Sequence, residues 1–256
     1  MAHRSRRIKA LGEYNKKAFR LNLKITEVEH YTDRLFRIRT ERPATFRFAA
    51  GEFTMIGMVN DNVKRAYSIT SGPFDEYLEF FSIKVPDGPL TSRLQHINVG
   101  DKIEVGTKTT GTLTLANLEL GGDLWLLATG TGIAPFISLL RDPNTYNEFD
   151  KIHVYWSVRT SDELRAYNSF LHDLAIEYTP IVTRDPSWKG QNKRITKFIT
   201  AGQIANDSNP SKHKVMICGS LDFNNEVANM FDNRGFPEGT RRTKGSFVQE
   251  RAFVDR

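Results

Sequence analysis

The chain has 256 residues, 39% of them hydrophobic and 26% charged, which suits two modest folded domains or one large one and excludes global disorder. Its single cysteine, Cys218, excludes an intramolecular disulfide and any cysteine-based zinc or iron–sulfur site within one chain. The formal net charge is +6, but residues 1–20 carry seven basic groups and one acid while the other 236 carry 29 of each sign, so the excess belongs to the tail and nucleic-acid binding is a remote reading.

In chain order, a basic tail over 1–20 comes first, with no apolar signal core after it. Leu21, Leu23, Ile25 and Val28 then approximate the alternation of a half-buried strand. Short runs follow at Arg34–Thr40, Phe53–Val59, Arg65–Thr70, Leu78–Val85 and Lys102–Val105, separated by turn residues such as Gly51, Asn60-Asp61 and Pro86-Asp87-Gly88. Strands at that spacing predict an antiparallel β-barrel or sandwich over 21–119, with one short helix around Leu90–His96.

The pattern changes near Gly121-Gly122, within the boundary region Leu118–Asp123. Strands are predicted at Leu124–Ala128, Ile152–Trp156, Ile176–Val182, Val215–Cys218 and Phe247–Glu250. Helices are predicted at Pro135–Leu140, at Ser161–Leu171 capped by Ser161, and at Asp222–Phe231. That alternation predicts an α/β domain with a parallel sheet over 120–256. The longest uncharged stretch, Leu124–Leu140, falls short of the roughly 20 apolar residues of a membrane span, and Gly130, Gly132 and Pro135 interrupt it. A cytoplasmic protein is therefore expected.

The sharpest motif is Ala128-Thr-Gly-Thr-Gly-Ile-Ala-Pro-Phe136, a buried strand entering a glycine-bearing turn and then a helix. Gly130 and Gly132 permit a tight turn and close approach of a phosphate, Pro135 suits a first helical turn, and free N–H groups there favour an anion. A plain strand–turn–helix junction is the equal alternative, since the third glycine of the usual dinucleotide fingerprint is replaced by Ala134-Pro135. Arg159, Arg184 and Arg194 follow or lie near later strand ends and fit an NADP-type 2′-phosphate site; three solvated surface arginines are the other reading. In the first half, Arg65-Ala-Tyr-Ser68 combines a cation, an aromatic face and a hydroxyl on one strand, although an ordinary strand explains it as well. Gly88-Pro-Leu-Thr-Ser-Arg93 is either a second anion site or a helix N-cap.

Taken in order, Arg65–Ser68, Phe81–Leu94, Thr129–Pro135, Met216–Ser220 and Glu250–Val254 resemble the bacterial ferredoxin/flavodoxin–NADP reductase family, over nearly everything from Leu21 to Arg256. The resemblance implies an FAD-binding barrel followed by an NADP-binding α/β domain and no metal. By position, Tyr67 would stack on the isoalloxazine, with Ala66 beside it and Ser68 near the reactive N5 edge. Arg65 and Pro89-Leu90-Thr91 would hold the FAD phosphates. Phe81, Ser82 and Ile83 would line the flavin. Thr131 would lie where FAD and NADP meet, and Gly132, Val158, Arg159, Arg184, Arg194, Cys218 and Gly219 would serve NADP.

Cys218 would pack beside the nicotinamide rather than act as a nucleophile. At the C-terminus, Ala252 stands near the place where plastid-type relatives have a flavin-covering aromatic, and Phe253 would pack on the adenine. Glu250 would relay a proton or stand as a surface carboxylate. The implied reaction is hydride exchange between NADPH C4 and FAD N5, coupled to one-electron exchange with ferredoxin or flavodoxin; a monomer that binds no nucleic acid is expected. The alternative is an NADPH-dependent flavin-containing reductase serving an oxygenase or another acceptor.

Overall fold

The computed structural model describes residues 20–251. Ala252, Phe253 and all but the last residue of the basic tail lie outside them.

Six strands, β1 (Arg20–His30), β2 (Leu35–Glu41), β3 (Phe53–Met58), β4 (Lys64–Ser68), β5 (Tyr77–Ile83) and β6 (Lys102–Gly106), form an antiparallel sheet in the order β4-β3-β6-β1-β2-β5. Alternation does the work here: Leu23 and Ile25 of β1, Ile38 of β2, Ile56 of β3 and Ile103 and Val105 of β6 all point into one core. The sheet curls until its edges β4 and β5 approach, where the Tyr67 and Ser82 hydroxyls bond at 3.0 Å. The result is a near-closed barrel in which β4 keeps one hydrogen-bonding edge unpaired by any strand.

The second sheet is parallel, in the order β11-β10-β7-β8-β9, from β7 (Asp123–Thr129), β8 (Lys151–Val158), β9 (Glu177–Val182), β10 (His213–Gly219) and β11 (Phe247–Arg251). β10 is buried along its whole length, as a strand covered on both faces must be. One face packs on a core built from Trp125, Phe198, Val227 and Phe231. The other packs on a core that also takes in Tyr31, Leu35 and Phe81 from the barrel, so the two sheets share apolar interior.

Helices are short apart from α6 (Leu221–Asp232), which Ser220 caps by accepting from the Phe223 N–H. α1 (Thr91–Leu94) and α2 (Ala134–Leu140) fall where predicted. α3 (Pro143–Asn147), capped by Asp142, and α5 (Ile195–Thr200) were not predicted; neither reaches two turns of clear periodicity.

The helix expected at Ser161–Leu171 is instead a 3₁₀ segment, Ser161–Ala166, followed by α4 (Asn168–His172). The break falls at Tyr167, whose backbone (φ −139°, ψ 3°) leaves the helical region while its side chain is buried. Ser161 is not a cap either, because its hydroxyl donates to Asp185 Oδ2 at 2.5 Å.

Candidate functional site

Two cavities mark the candidate site. The first, about 600 Å³, opens on the unpaired edge of β4 and takes lining from Arg65, Ala66, Tyr67 and Ser68 together. Strict alternation would have sent Ser68 away from Tyr67; an edge strand presents both faces and its backbone rim to one space. Ala66 is exposed and small, and Tyr67 is buried, with its ring edge-on to Phe80 (6.4 Å, 89°). Pro89, Leu90 and Thr91 close the opposite wall, Thr91 Oγ1 bonding the Val85 carbonyl at 3.2 Å. Among the described residues, Arg65 Nη1 bonds only the neighbouring Lys64 carbonyl (2.9 Å), whereas Lys64 is bound to Glu104 (3.1 Å). The long groove, its cation and its exposed backbone rim suit a flat ring system carrying phosphates.

The second cavity, about 780 Å³, lies at the C-terminal ends of the parallel strands, where ligands of open α/β sheets bind. Arg159, Arg184 and Arg194 all front it, with Val158 and Thr131. All three arginines are exposed, and Arg194 is paired to Glu226 at 2.6 Å. Arg159 is set by its backbone: its N–H donates to Glu163 Oε2 (3.0 Å), and its carbonyl accepts the Arg184 N–H (2.8 Å). Desolvation, then the charges of Arg34 and Arg184, hold the Arg159 guanidinium below its ordinary pKa. Such a mutually repelling cation cluster is eased by an anion between its members.

The two glycines of the Gly130–Ile133 turn divide their work. Gly130 has φ +53° and open space where a Cβ would stand, so backbone conformation selects it. Its carbonyl accepts Trp156 Nε1–H at 2.8 Å, which fixes the turn to β8. At Gly132 a Cβ would lie 2.2 Å from the Cys218 carbonyl oxygen. Gly132 is therefore packed directly against β10, and Gly130 and Thr131 of this turn front the second cavity.

Other expected residues fall differently. Ile83 fronts the second cavity, and Phe81 and Ser82 are buried behind the wall: Phe81 lies edge-on to Tyr31 and Tyr167, and Ser82 braces Tyr67. Cys218 is buried, with Gly219 beside it packed on Thr129. Burial, and next the Glu250 carboxylate, push its thiol well above its usual range, so it stays a packing group.

Glu250 is no surface carboxylate. It lines the first cavity and accepts from the Thr112 N–H (2.9 Å) and hydroxyl (3.3 Å). Desolvation raises its pKa against those bonds. Ionisation therefore costs more in the folded chain, and the contribution of Glu250 to stability is intact below its ordinary pKa and lost as pH rises through the raised value. Glu250→Gln keeps an acceptor for Thr112 but cannot ionise. Its melting temperature relative to the parent should rise as pH climbs from the ordinary carboxylate range through the raised value, read by thermal melts; a constant difference would disprove the buried-carboxylate account.

Sequence reasoning missed Arg34 and Leu35, which reach the second cavity from the barrel, and Thr112 and Arg241 at the first. The basic run Arg241-Arg242-Thr243-Lys244 was a usable signal for Arg241; nothing local marked the others.

Comparison with known proteins shows the family. Residues 126–229 match a family model described as an oxidoreductase NAD-binding domain. The chain is 44% identical over 250 residues to "Ferredoxin--NADP reductase A" of Sorangium cellulosum, covering 90% of this chain and 89% of that protein. It is also 44% identical to "Flavodoxin/ferredoxin--NADP reductase" of Rhodobacter capsulatus, covering 90% and 92%. Among solved structures it matches a ferredoxin NADP+ reductase from Neisseria gonorrhoeae with bound FAD and NADP, with TM-score 0.84, 30% identity, and 91% and 99% of the two chains covered.

Proposed function

The chain belongs to the ferredoxin/flavodoxin–NADP reductase family, and from that premise we propose how its residues carry the reaction. It is an oxidoreductase that uses FAD and NADP(H). The observation that carries the assignment of parts is the adjacency of the two cavities. Val85 faces the first and Ile83, two residues earlier on the same segment, faces the second. On the other sheet Glu250, at the first cavity, is the register partner of Cys218, two residues before Ser220 at the second.

We assign FAD to the barrel, 21–119, and NADP(H) to 120–256. FAD, when bound, supplies the conversion between the hydride of NADPH and the single electrons exchanged with ferredoxin or flavodoxin. The chain's residues bind and orient. The Tyr67 ring, held by Ser82, offers a fixed stacking face, and the β4 edge offers backbone donors and acceptors. Arg65 and the Pro89–Thr91 turn face the phosphates of FAD. Arg159 and Arg184 grip the 2′-phosphate, and Thr131 and the buried Cys218–Gly219 seam shape the nicotinamide end.

The partner is an acidic ferredoxin or flavodoxin drawn by local charge, and the body works as a cytoplasmic monomer. Among the described residues no helix is long and apolar enough to cross a membrane.

The test is a visible spectrum of the purified protein followed by anaerobic NADPH titration. A flavin spectrum that NADPH bleaches is expected, with reoxidation by added ferredoxin or flavodoxin. A protein that takes up no FAD on reconstitution would overturn the reading. Bleaching that neither partner can reverse would favour an oxygenase-serving reductase.

A further inference from the structure

A buried charge stands where the two sheets meet, and the cofactor cavities do not use it. Glu79 on β5 is fully buried. Two donors reach it from the barrel: Arg39 Nε at 2.7 Å and Arg37 Nη1 at 3.3 Å, both on β2. Two more reach it from the nucleotide-binding side: Tyr167 Oη at 3.0 Å, and Nη1 of Arg141, directly after α2, at 3.1 Å. A buried carboxylate is tolerated only when such partners meet it in good geometry, so its four donors are held in place as firmly as it is.

The contact continues around this point. Arg141 Nη1 also donates to the Thr70 carbonyl (3.1 Å), and the Ser138 hydroxyl of α2 donates to the Ser71 carbonyl (2.7 Å). At Gly72 a Cβ would stand 2.8 Å from Arg141 Cβ, so the turn before β5 lies directly on Arg141. The Tyr167 ring meets Phe81 edge-on at 5.2 Å. Burial keeps the Tyr167 hydroxyl protonated far above its ordinary range, so it remains a donor to Glu79.

The elements joined here carry the site at their other ends. β5 runs four residues beyond Glu79 to Ile83 at the second cavity. α2 follows the Gly130–Ile133 turn, whose Gly130 and Thr131 front the same cavity. An apolar interface would let these elements slide by fractions of an ångström; a directional buried carboxylate does not. Resting on the reductase reading above, we propose that Glu79, gripped across the sheet junction by Arg141 and Tyr167, is a positioning residue for hydride transfer. It fixes the separation and angle between the FAD-bearing wall and the nicotinamide-bearing turn, and adds nothing to the affinity of either cofactor's outer parts.

The test uses the FAD-loaded full chain with Tyr167→Phe, Arg141→Met and Arg141→Lys. Three quantities are read: FAD bound per chain, affinity for 2′,5′-ADP (which senses only the phosphate arm), and the limiting rate of flavin bleaching at saturating NADPH. We expect Tyr167→Phe and Arg141→Met to slow bleaching by about tenfold or more, since a misplacement near 1 Å costs on the order of a hundredfold. FAD content and 2′,5′-ADP affinity should hold, and Arg141→Lys should recover part of the rate. If Arg141→Met does not fold, Tyr167→Phe, which removes one hydroxyl, decides alone. An unchanged limiting rate, or parallel loss of all three quantities, overturns the proposal. Failure of NADPH to bleach the parent protein would instead overturn the reductase reading.

Discussion

Replacing Arg159 and Arg184 together by alanine should raise the KM for NADPH by about a hundredfold or more and leave NADH turnover nearly unchanged. Each charge-assisted hydrogen bond to a phosphate contributes about 1.5–3 kcal/mol, and the two arginines supply at least one each. Both are exposed at the second cavity, tied to each other through the Arg184 N–H and Arg159 carbonyl at 2.8 Å. Neither has a carboxylate ion-pair partner within 4.0 Å among the described residues. Arg194 differs: its guanidinium is already paired with Glu226 at 2.6 Å, so Arg194→Ala should have the smaller effect of the three. NADH lacks the 2′-phosphate and has nothing to lose here. Steady-state kinetics with both nucleotides check the prediction, and an equal penalty on both would remove the 2′-phosphate from this arginine cluster.

The second large effect is expected from Gly132→Ala. The added methyl would meet the Cys218 carbonyl oxygen at 2.2 Å and its carbon at 2.6 Å, both backbone atoms that no rotamer change can clear. Relief requires the turn to move away from β10 by about 1 Å, and overpacking of this kind costs about 1–3 kcal/mol. For a chain of this size that lowers the melting temperature by about 3–10 °C. The same movement opens the seam between Thr131 and Ser220 at the second cavity, so NADPH affinity should fall as well. Thermal melts and NADPH titration read the two effects. Gly130→Ala is the instructive comparison: its Cβ would meet nothing, so its cost should come from φ +53° alone. A melting temperature for Gly132→Ala equal to the parent's would refute the close-packing argument.

Much of this protein is legible in its sequence. Hydrophobic alternation in Leu21–Val28 and continuous apolar runs such as Leu124–Ala128 are direct consequences of one-sided and two-sided burial, and each strand forms within a few residues of its predicted place. The motif at Thr129–Pro135 was equally plain, because its turn and helix start are local chemistry. Arg159 and Arg184 front one cavity because strand ends of a parallel sheet gather at one edge, and Arg194 joins them from the N-terminus of α5.

What failed to show was whatever depended on a distant partner. Tyr167 breaks a predicted helix as its hydroxyl joins Glu79, 88 positions earlier, and no local propensity records that bond. Ser161 looked like a cap and instead bonds Asp185. Glu250 looked equally able to sit at the surface, and only the pairing of β11 with β10 puts it beside Thr112 over the first cavity. Local pattern, set by the period of the backbone and the chemistry of short motifs, determined the elements, their order and the family. Tertiary structure alone decided which side chains meet across the junction of the sheets, because a contact between residues far apart in the chain leaves no periodic trace in either of the segments that make it.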